Sequence, residues 1–110
     1  MKSDNFIFGD KAGKIKLNES TTRQILGYDD QMMLVKIDFE AGGIGYVHQH
    51  KHLQCTYVVC GVFEFQVGEK TKTVKAGDGL YMEPNVPHGV KCIESGTLID
   101  TFSPARVDFL

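Results

Sequence analysis

The stretch IGYVHQHKHLQCTYVVCGVFEFQV, residues 44–67, carries the information that decides the fold of this chain. Its β-branched and aromatic residues favour strands, and Gly61 divides its second half into CTYVVC at 55–60 and VFEFQV at 62–67. No segment of the chain has the apolar spacing of an amphipathic helix of ten residues or more. We therefore expect strands to dominate the structure.

Further strand-like segments lie on both sides of this stretch and are separated by glycine-containing turns. We predict these additional strands at 14–17, 32–40, 44–50, 70–75, 80–83, 90–93 and 98–102. About eight or nine short strands with regular turns indicate a β-sandwich or barrel. The prediction is an all-β fold in one domain that spans residues 1–110.

The composition fits a globular domain and argues against nucleic-acid and membrane partners. The chain of 110 residues is 42% hydrophobic and has a net charge of -2, with no basic cluster of the kind that binds nucleic acid. Three cysteines without CxxC spacing favour free thiols in a reducing compartment. The N-terminal MKSDNFIFGDKAGK lacks the apolar run of a signal peptide, and no stretch approaches membrane-spanning length. We expect a cytoplasmic protein.

Three histidines and one glutamine are spaced as metal ligands. On a strand, His48 and His50 point to the same face because they are two residues apart. Gln54 opens the next predicted strand, and His88 follows a loop at 84–87 that two prolines make rigid. We predict that these four residues bind one divalent metal ion.

The predicted ligands are electrically neutral, which bears on the chemistry of the ion. Imidazole and amide ligands leave a divalent ion with its full charge, so that it acts as a strong Lewis acid and attracts an anionic substrate. They stabilise a trivalent ion poorly, which disfavours redox cycling. A mixed nitrogen and oxygen set accepts nickel, zinc, iron, manganese or cobalt. His52, in the predicted bend, is a further ligand, a supporting donor or a solvent-exposed residue.

The same residues resemble the two motifs of the cupin superfamily. The first motif is matched at Gly42, His48, His50, Gln54 and Gly61, with Gln54 where the motif usually has Glu. The second motif is matched more loosely at Gly77, Glu83, Asn85 and His88, because Glu83 and Asn85 replace a usual Pro and Gly. The resemblance implies a cupin jelly roll, a double-stranded β-helix barrel with a metal in its mouth, and a homodimer.

Four longer stretches resemble one family within the cupins, the KdgF-type pectin-degradation proteins. They are MMLVKIDFE (32–40), HQHKHLQCTYVVCGVFEF (48–65), KAGDGLYMEPNVPHGVKC (75–92) and LIDTFSPARVDFL (98–110). The resemblance implies a metal-dependent, non-redox enzyme of uronate catabolism. Its small-molecule substrate would be a 4,5-unsaturated uronate monomer from pectin or alginate, which it converts to linear 5-keto-4-deoxyuronate.

The C-terminal segment supplies the candidate catalytic residues. Asp100 and Phe102 share a face by parity, so a carboxylate accompanies a ring that lines the barrel. One interpretation is a structural ion pair between Asp100 and Arg106. The family resemblance favours another, in which Asp100 transfers protons while Phe102 and Arg106 position the sugar. Arg23 is a secondary candidate for anion contact, or a solvated strand residue.

The sequence also leaves two other function classes open. An iron-dependent cupin dioxygenase would need redox-active iron and would consume oxygen. A non-catalytic sugar-binding cupin module would bind its ligand without turnover; modules of this kind usually carry a DNA-binding helical domain, for which we see no sequence here.

Overall fold

The computed structural model describes residues 1–110 and consists of eight β-strands and one short 3-10 helix. The strands are β1 (Ile15–Asn18), β2 (Thr21–Tyr28), β3 (Met33–Phe39), β4 (Ile44–His48), β5 (Leu53–Val67), β6 (Lys70–Lys75), β7 (Gly79–Met82) and β8 (His88–Ser103), and the helix is Val107–Phe109. The prediction of an all-β fold is confirmed. No helix has the length and apolar character needed to span a bilayer.

Two long strands, β5 and β8, belong to both layers of the fold. They pair with each other antiparallel from Leu53↔Ser103 to Val67↔His88. The first half of β5 and the second half of β8 form one sheet with β7 and with β3, which continues through β2 to β1. The other halves form a second sheet with β6 and β4. The result is the jelly roll that the sequence predicted.

The bend that carries β5 and β8 from one sheet to the other depends on two glycines. The β5–β8 register shifts between Val58 and Phe63. Gly61 has φ +88, a conformation that residues with a β-carbon rarely adopt. Gly96 lies so close to Cys60 that a β-carbon would overlap the Cys60 carbonyl. The two strands therefore cross at this point with their backbones in contact.

The hydrophobic core fills the space between the two sheets. Its main cluster takes side chains from both layers and consists of Phe39, Val58, Phe63, Phe65, Met82, Cys92 and Leu98. A second cluster lies beneath the C-terminal tail and consists of Met33, Val35, Phe102 and Ala105. The two clusters leave one end of the barrel lined by polar side chains, and the candidate site lies there.

The strand boundaries differ from the sequence prediction mainly in four places, one of which is β4, which ends at His48 and leaves His50 outside the strand. The segments 55–60 and 62–67 form one bent strand, as do 90–93 and 98–102. The strand β2 was not among the predicted segments, because its sequence TTRQILGY mixes polar and charged residues on both faces. An N-terminal arm covers the outer face of β2, where Gln24 donates to the carbonyls of Gly9 and Ala12.

Gly96→Ala should destabilise the protein by about 3 kcal/mol, because the new methyl group must displace the β5 backbone. Chemical denaturation followed by fluorescence or circular dichroism measures the change. Gly13→Ala is the matched control, since no heavy atom lies within 4 Å of a β-carbon there. Equal stability of the two variants would contradict the close crossing of β5 and β8.

Candidate metal centre and its cavity

Three histidines converge at the polar end of the barrel. His48 closes β4 and pairs directly with His88, the first residue of β8. His50 follows in the bend between β4 and β5, where its carbonyl accepts a hydrogen bond from the main-chain N–H of Asn85 at 2.7 Å. One ring nitrogen from each histidine lies within 4.8 Å of the others. This spacing allows a single ion to contact all three.

Main-chain carbonyls set the orientation of each imidazole ring. The Nδ1 atoms of His48, His50 and His88 lie 2.9, 3.1 and 2.9 Å from the carbonyl oxygens of Tyr46, His52 and Val86. A carbonyl oxygen only accepts, so these contacts favour the neutral tautomer that carries its proton on Nδ1. The lone pairs are then on the three Nε2 atoms. Metal-bound histidines are commonly held in this way.

Burial favours the uncharged form of two of these rings. It lowers the pKa of His50 and His88 below the ordinary histidine value, and the neighbouring imidazoles and Arg106 add to the effect. The Nε2 atom of His88 is buried and has no hydrogen-bond partner in the protein. A buried lone pair without a donor is costly unless something binds it. A cation is the group that this arrangement fits.

A hydrogen-bond chain orients the amide of Gln54 toward the histidines. The Gln54 NH₂ group donates to Thr56 Oγ1 at 3.1 Å, and the Thr56 hydroxyl donates to Asp100 Oδ1 at 2.6 Å. The amide oxygen is thereby left 2.9 Å from Nε2 of His50. Two lone pairs therefore face each other when the neutral His50 ring carries its proton on Nδ1. A divalent cation shared between them relieves the repulsion, so the four residues fit a metal ion.

His52 lies outside the three-histidine group. Its side chain is buried, and its own Nδ1 has no partner. Its main-chain carbonyl is the group that accepts from Nδ1 of His50. His52 therefore helps to orient the ring of His50, which is the supporting role that the sequence left open.

His48 and His88 line a cavity of about 320 Å³, a size within the usual range for small-molecule sites. Asp100 lines it and is only 5% exposed. Burial raises the pKa of Asp100 to about 6, although hydrogen bonds from Thr56 and Gln54 oppose the shift. A carboxylate with this pKa exchanges protons readily near neutral pH.

Arg106 and Phe102 lie on the tail side of the same cavity. Phe102 is buried with its ring centroid 5.8 Å from that of His50. The Arg106 guanidinium carbon lies 5.1 Å from the Phe102 ring and 4.3 Å from the Phe109 ring. Its Nε and Nη2 donate to the two carboxylate oxygens of Asp108 at 3.0 and 2.9 Å. Arg106 therefore pairs with Asp108 and forms no ion pair with Asp100.

The sequence did not single out Thr56, Thr21 or Phe109 as functional residues. Thr56 is the link between Gln54 and Asp100, and its position two residues after Gln54 on the same strand was the available signal. Thr21 and Phe109 line the cavity. Neither residue has a sequence feature that distinguishes it from a packing residue.

Comparisons with known proteins agree with this geometry. Residues 35–100 match the family model described as the cupin domain. The chain is 40% identical to the pectin degradation protein KdgF of Dickeya dadantii over 97 residues, which cover 86% of this chain and 88% of that protein. The crystal structure of an RmlC-like cupin from Shewanella frigidimarina superimposes with a TM-score of 0.96 at 44% identity, covering 99% and 98% of the two chains. KdgF from Halomonas sp. gives a TM-score of 0.92 at 29% identity, covering 98% and 100%.

Thr56→Val should weaken the binding of a divalent metal ion on the order of tenfold, because the Gln54 amide loses the acceptor that fixes its orientation. Competition with a chromophoric chelator measures the affinity for zinc or nickel. Thr56→Ser keeps the hydroxyl and should restore it.

Thr101→Val is the matched control, since Thr101 donates to the Cys55 carbonyl on the neighbouring strand, away from the histidines. If Thr56→Val and Thr101→Val bound metal equally tightly, the hydrogen-bond chain would have no part in holding the ion.

Proposed function

Given that this chain belongs to the cupin domain family, in which it is a relative of the pectin degradation protein KdgF, we propose that it opens the ring of 4,5-unsaturated uronate monomers. The product is linear 5-keto-4-deoxyuronate. The observation that carries the proposal is the cavity itself, in which a neutral set of metal-binding residues lies with one buried carboxylate and two guanidinium groups.

The proposed reaction is an isomerisation, so it needs neither an oxidant nor a reductant. The hydroxyl on carbon 1 loses its proton, and the bond between carbon 1 and the ring oxygen breaks. The electron pair of that bond stays on the ring oxygen, which becomes the enolate oxygen of carbon 5. A proton then adds to carbon 4, and the enolate becomes the ketone.

The residues of the cavity are suited to these steps. A divalent ion held by His48, His50, Gln54 and His88 would supply Lewis acidity that stabilises negative charge developing on the ring oxygen. Asp100 in its ionised form takes the proton from the hydroxyl on carbon 1 and, once protonated, donates to carbon 4. Phe102 and Arg106 hold the sugar ring in the orientation that these transfers require.

The homodimer remains part of the proposal. The outer face of the first sheet exposes apolar side chains, including Leu53, Tyr57 and Tyr81. An exposed apolar face of this kind is typical of a surface that another protein covers. Sedimentation equilibrium measures the mass in solution, and the mass of a single chain would contradict the dimer.

The direct test follows the ultraviolet absorbance of an unsaturated galacturonate monomer with and without the protein. We expect loss faster than the spontaneous rate, abolished by a chelator and restored by a divalent metal ion. The absence of any acceleration by fully metallated protein would contradict the proposal. Oxygen consumption in the same mixture would instead support an iron-dependent dioxygenase, and binding without turnover would support a sugar-binding module.

Asp100→Asn should reduce turnover at least about a hundredfold, as expected for the loss of a proton-transfer group, while the metal content stays unchanged. In the wild type, kcat/KM should fall as the pH is lowered through the pKa of Asp100, because the ionised form of Asp100 starts the reaction and burial raises that pKa above its ordinary value. Initial rates measured from pH 4.5 to pH 8 give the profile. Unchanged turnover in the variant would remove Asp100 from the mechanism.

A further inference from the structure

Two donors on β2 are buried in the cavity without partners. Thr21 Oγ1 and Arg23 Nε are inaccessible to solvent and make no hydrogen bond within the protein. Both residues line the cavity, and they are two apart on one strand, so they share its inner face. An unpaired buried donor costs free energy unless a ligand pairs with it. The inner face of β2 is thus prepared for a ligand that accepts hydrogen bonds.

Arg23 differs from Arg106 in that its guanidinium group has no acid partner. Arg106 is paired with both carboxylate oxygens of Asp108. Arg23 takes part in none of the ion pairs of the protein, which involve Met1 with Asp30, Lys36 with Asp38, and Arg106 with Asp108. The planar set of donors on Arg23 is therefore available to a carboxylate, which it can bind with two parallel hydrogen bonds.

The ring of Phe109 holds this guanidinium in place. The Arg23 guanidinium carbon lies 3.9 Å from the centroid of the Phe109 ring. Stacking of this kind fixes the plane of the donors before a ligand arrives, which reduces the entropy lost on binding. The side chain belongs to the cavity wall, and it is not the freely solvated strand residue that was one alternative from the sequence.

The charges of the cavity favour an anion at this position. Burial lowers the pKa of Arg23 and the charge of Arg106 lowers it further, while the Asp108 carboxylate opposes the shift; a guanidinium stays protonated in proteins. Asp100 is the one carboxylate among the residues that line the cavity, and its Oδ1 accepts the hydrogen bond from Thr56. A negatively charged ligand would offset the repulsion between the two arginines.

We propose that Arg23 and Thr21 form the subsite that binds the carboxylate of the uronate, and that Arg23 determines the preference for an acidic over a neutral sugar. The inference rests on the proposed function, since it assigns one group of that substrate to the β2 wall. The hydroxyl on carbon 1 and the ring oxygen then face the part of the cavity that is lined by His48, His88 and Asp100. Arg106, already paired with Asp108, contacts the sugar hydroxyls.

Binding of two non-reacting sugars to the metal-loaded protein tests the subsite without any turnover. D-galacturonate carries the carboxylate, D-galactose lacks it, and neither has the double bond that the proposed reaction requires. Isothermal titration calorimetry gives the two dissociation constants and their ratio. We expect Arg23→Gln to weaken galacturonate binding on the order of tenfold to a hundredfold, as for the loss of a charge-assisted pair, and to leave galactose binding unchanged.

Three further variants separate the subsite from general charge and from folding. Lys72→Gln removes one positive charge from the exposed face of β6, and it should leave both dissociation constants unchanged. Arg23→Lys keeps the charge without the paired donors and should give an intermediate loss. Thr21→Val should weaken galacturonate binding several-fold. If Arg23→Gln does not fold, this variant provides the same comparison between galacturonate and galactose. Metal content should be the same in every variant.

Three results would overturn the inference: equal weakening of both sugars in Arg23→Gln, an unchanged dissociation constant for galacturonate, or a wild type that does not prefer galacturonate. The proposed function fails separately. A wild type that prefers galacturonate through Arg23 and yet leaves the unsaturated monomer unchanged would refute the reaction and support the subsite. Catalysed ring opening that is insensitive to Arg23 would support the reaction and refute the subsite.

Discussion

The hydrogen-bond chain from Asp100 through Thr56 to Gln54 is the interaction on which the arrangement of the cavity depends. The pairing of β5 with β8 places Thr56 directly opposite Asp100 and Gln54 opposite Phe102. Since the ionised carboxylate only accepts, the hydroxyl must donate to it, and the amide must in turn direct its NH₂ group at the hydroxyl. The amide oxygen is thereby directed at the histidines. A buried polar chain of this kind favours a single arrangement because each misplaced group would be left unpaired.

The titratable groups around this hydrogen-bond chain affect the stability of the protein in opposite ways as the pH changes. The raised pKa of Asp100 contributes stability that is present below its ordinary value of 3.8 and is lost as the pH rises through about 6. The lowered pKa values of His50 and His88 contribute stability that is present above the ordinary histidine value of 6.5 and is lost as the pH falls. A bound cation would favour both the ionised carboxylate and the neutral imidazoles. The metal ion and the fold of this region are therefore expected to stabilise each other.

The sequence predicted most of the strands from their two-residue period and the histidine group from its spacing, although β4 ends at His48 and leaves His50 in the following bend. The sequence was less informative where the polar side chains of a strand face the interior and its apolar side chains face outward. In β5, Gln54 and Thr56 are buried, while Leu53 is 41% and Tyr57 52% exposed. Hydrophobicity alone would therefore have predicted the wrong face of this strand as the buried one. The hydrogen-bond partners of Asp100 and Arg106 could not be predicted from the sequence either. They depend on which strands pair and on how the tail folds back, and no local pattern records either.

We propose that three Nε2 atoms and the Gln54 amide oxygen bind one divalent ion. Anomalous diffraction from crystals of the protein loaded with zinc, collected on both sides of the metal absorption edge, tests this coordination. We predict one peak, about 2.0 to 2.2 Å from Nε2 of His48, His50 and His88 and from Oε1 of Gln54. A peak coordinated through Nδ1, a Gln54 side chain turned away from the ion, or metal bound elsewhere on the chain would contradict the account.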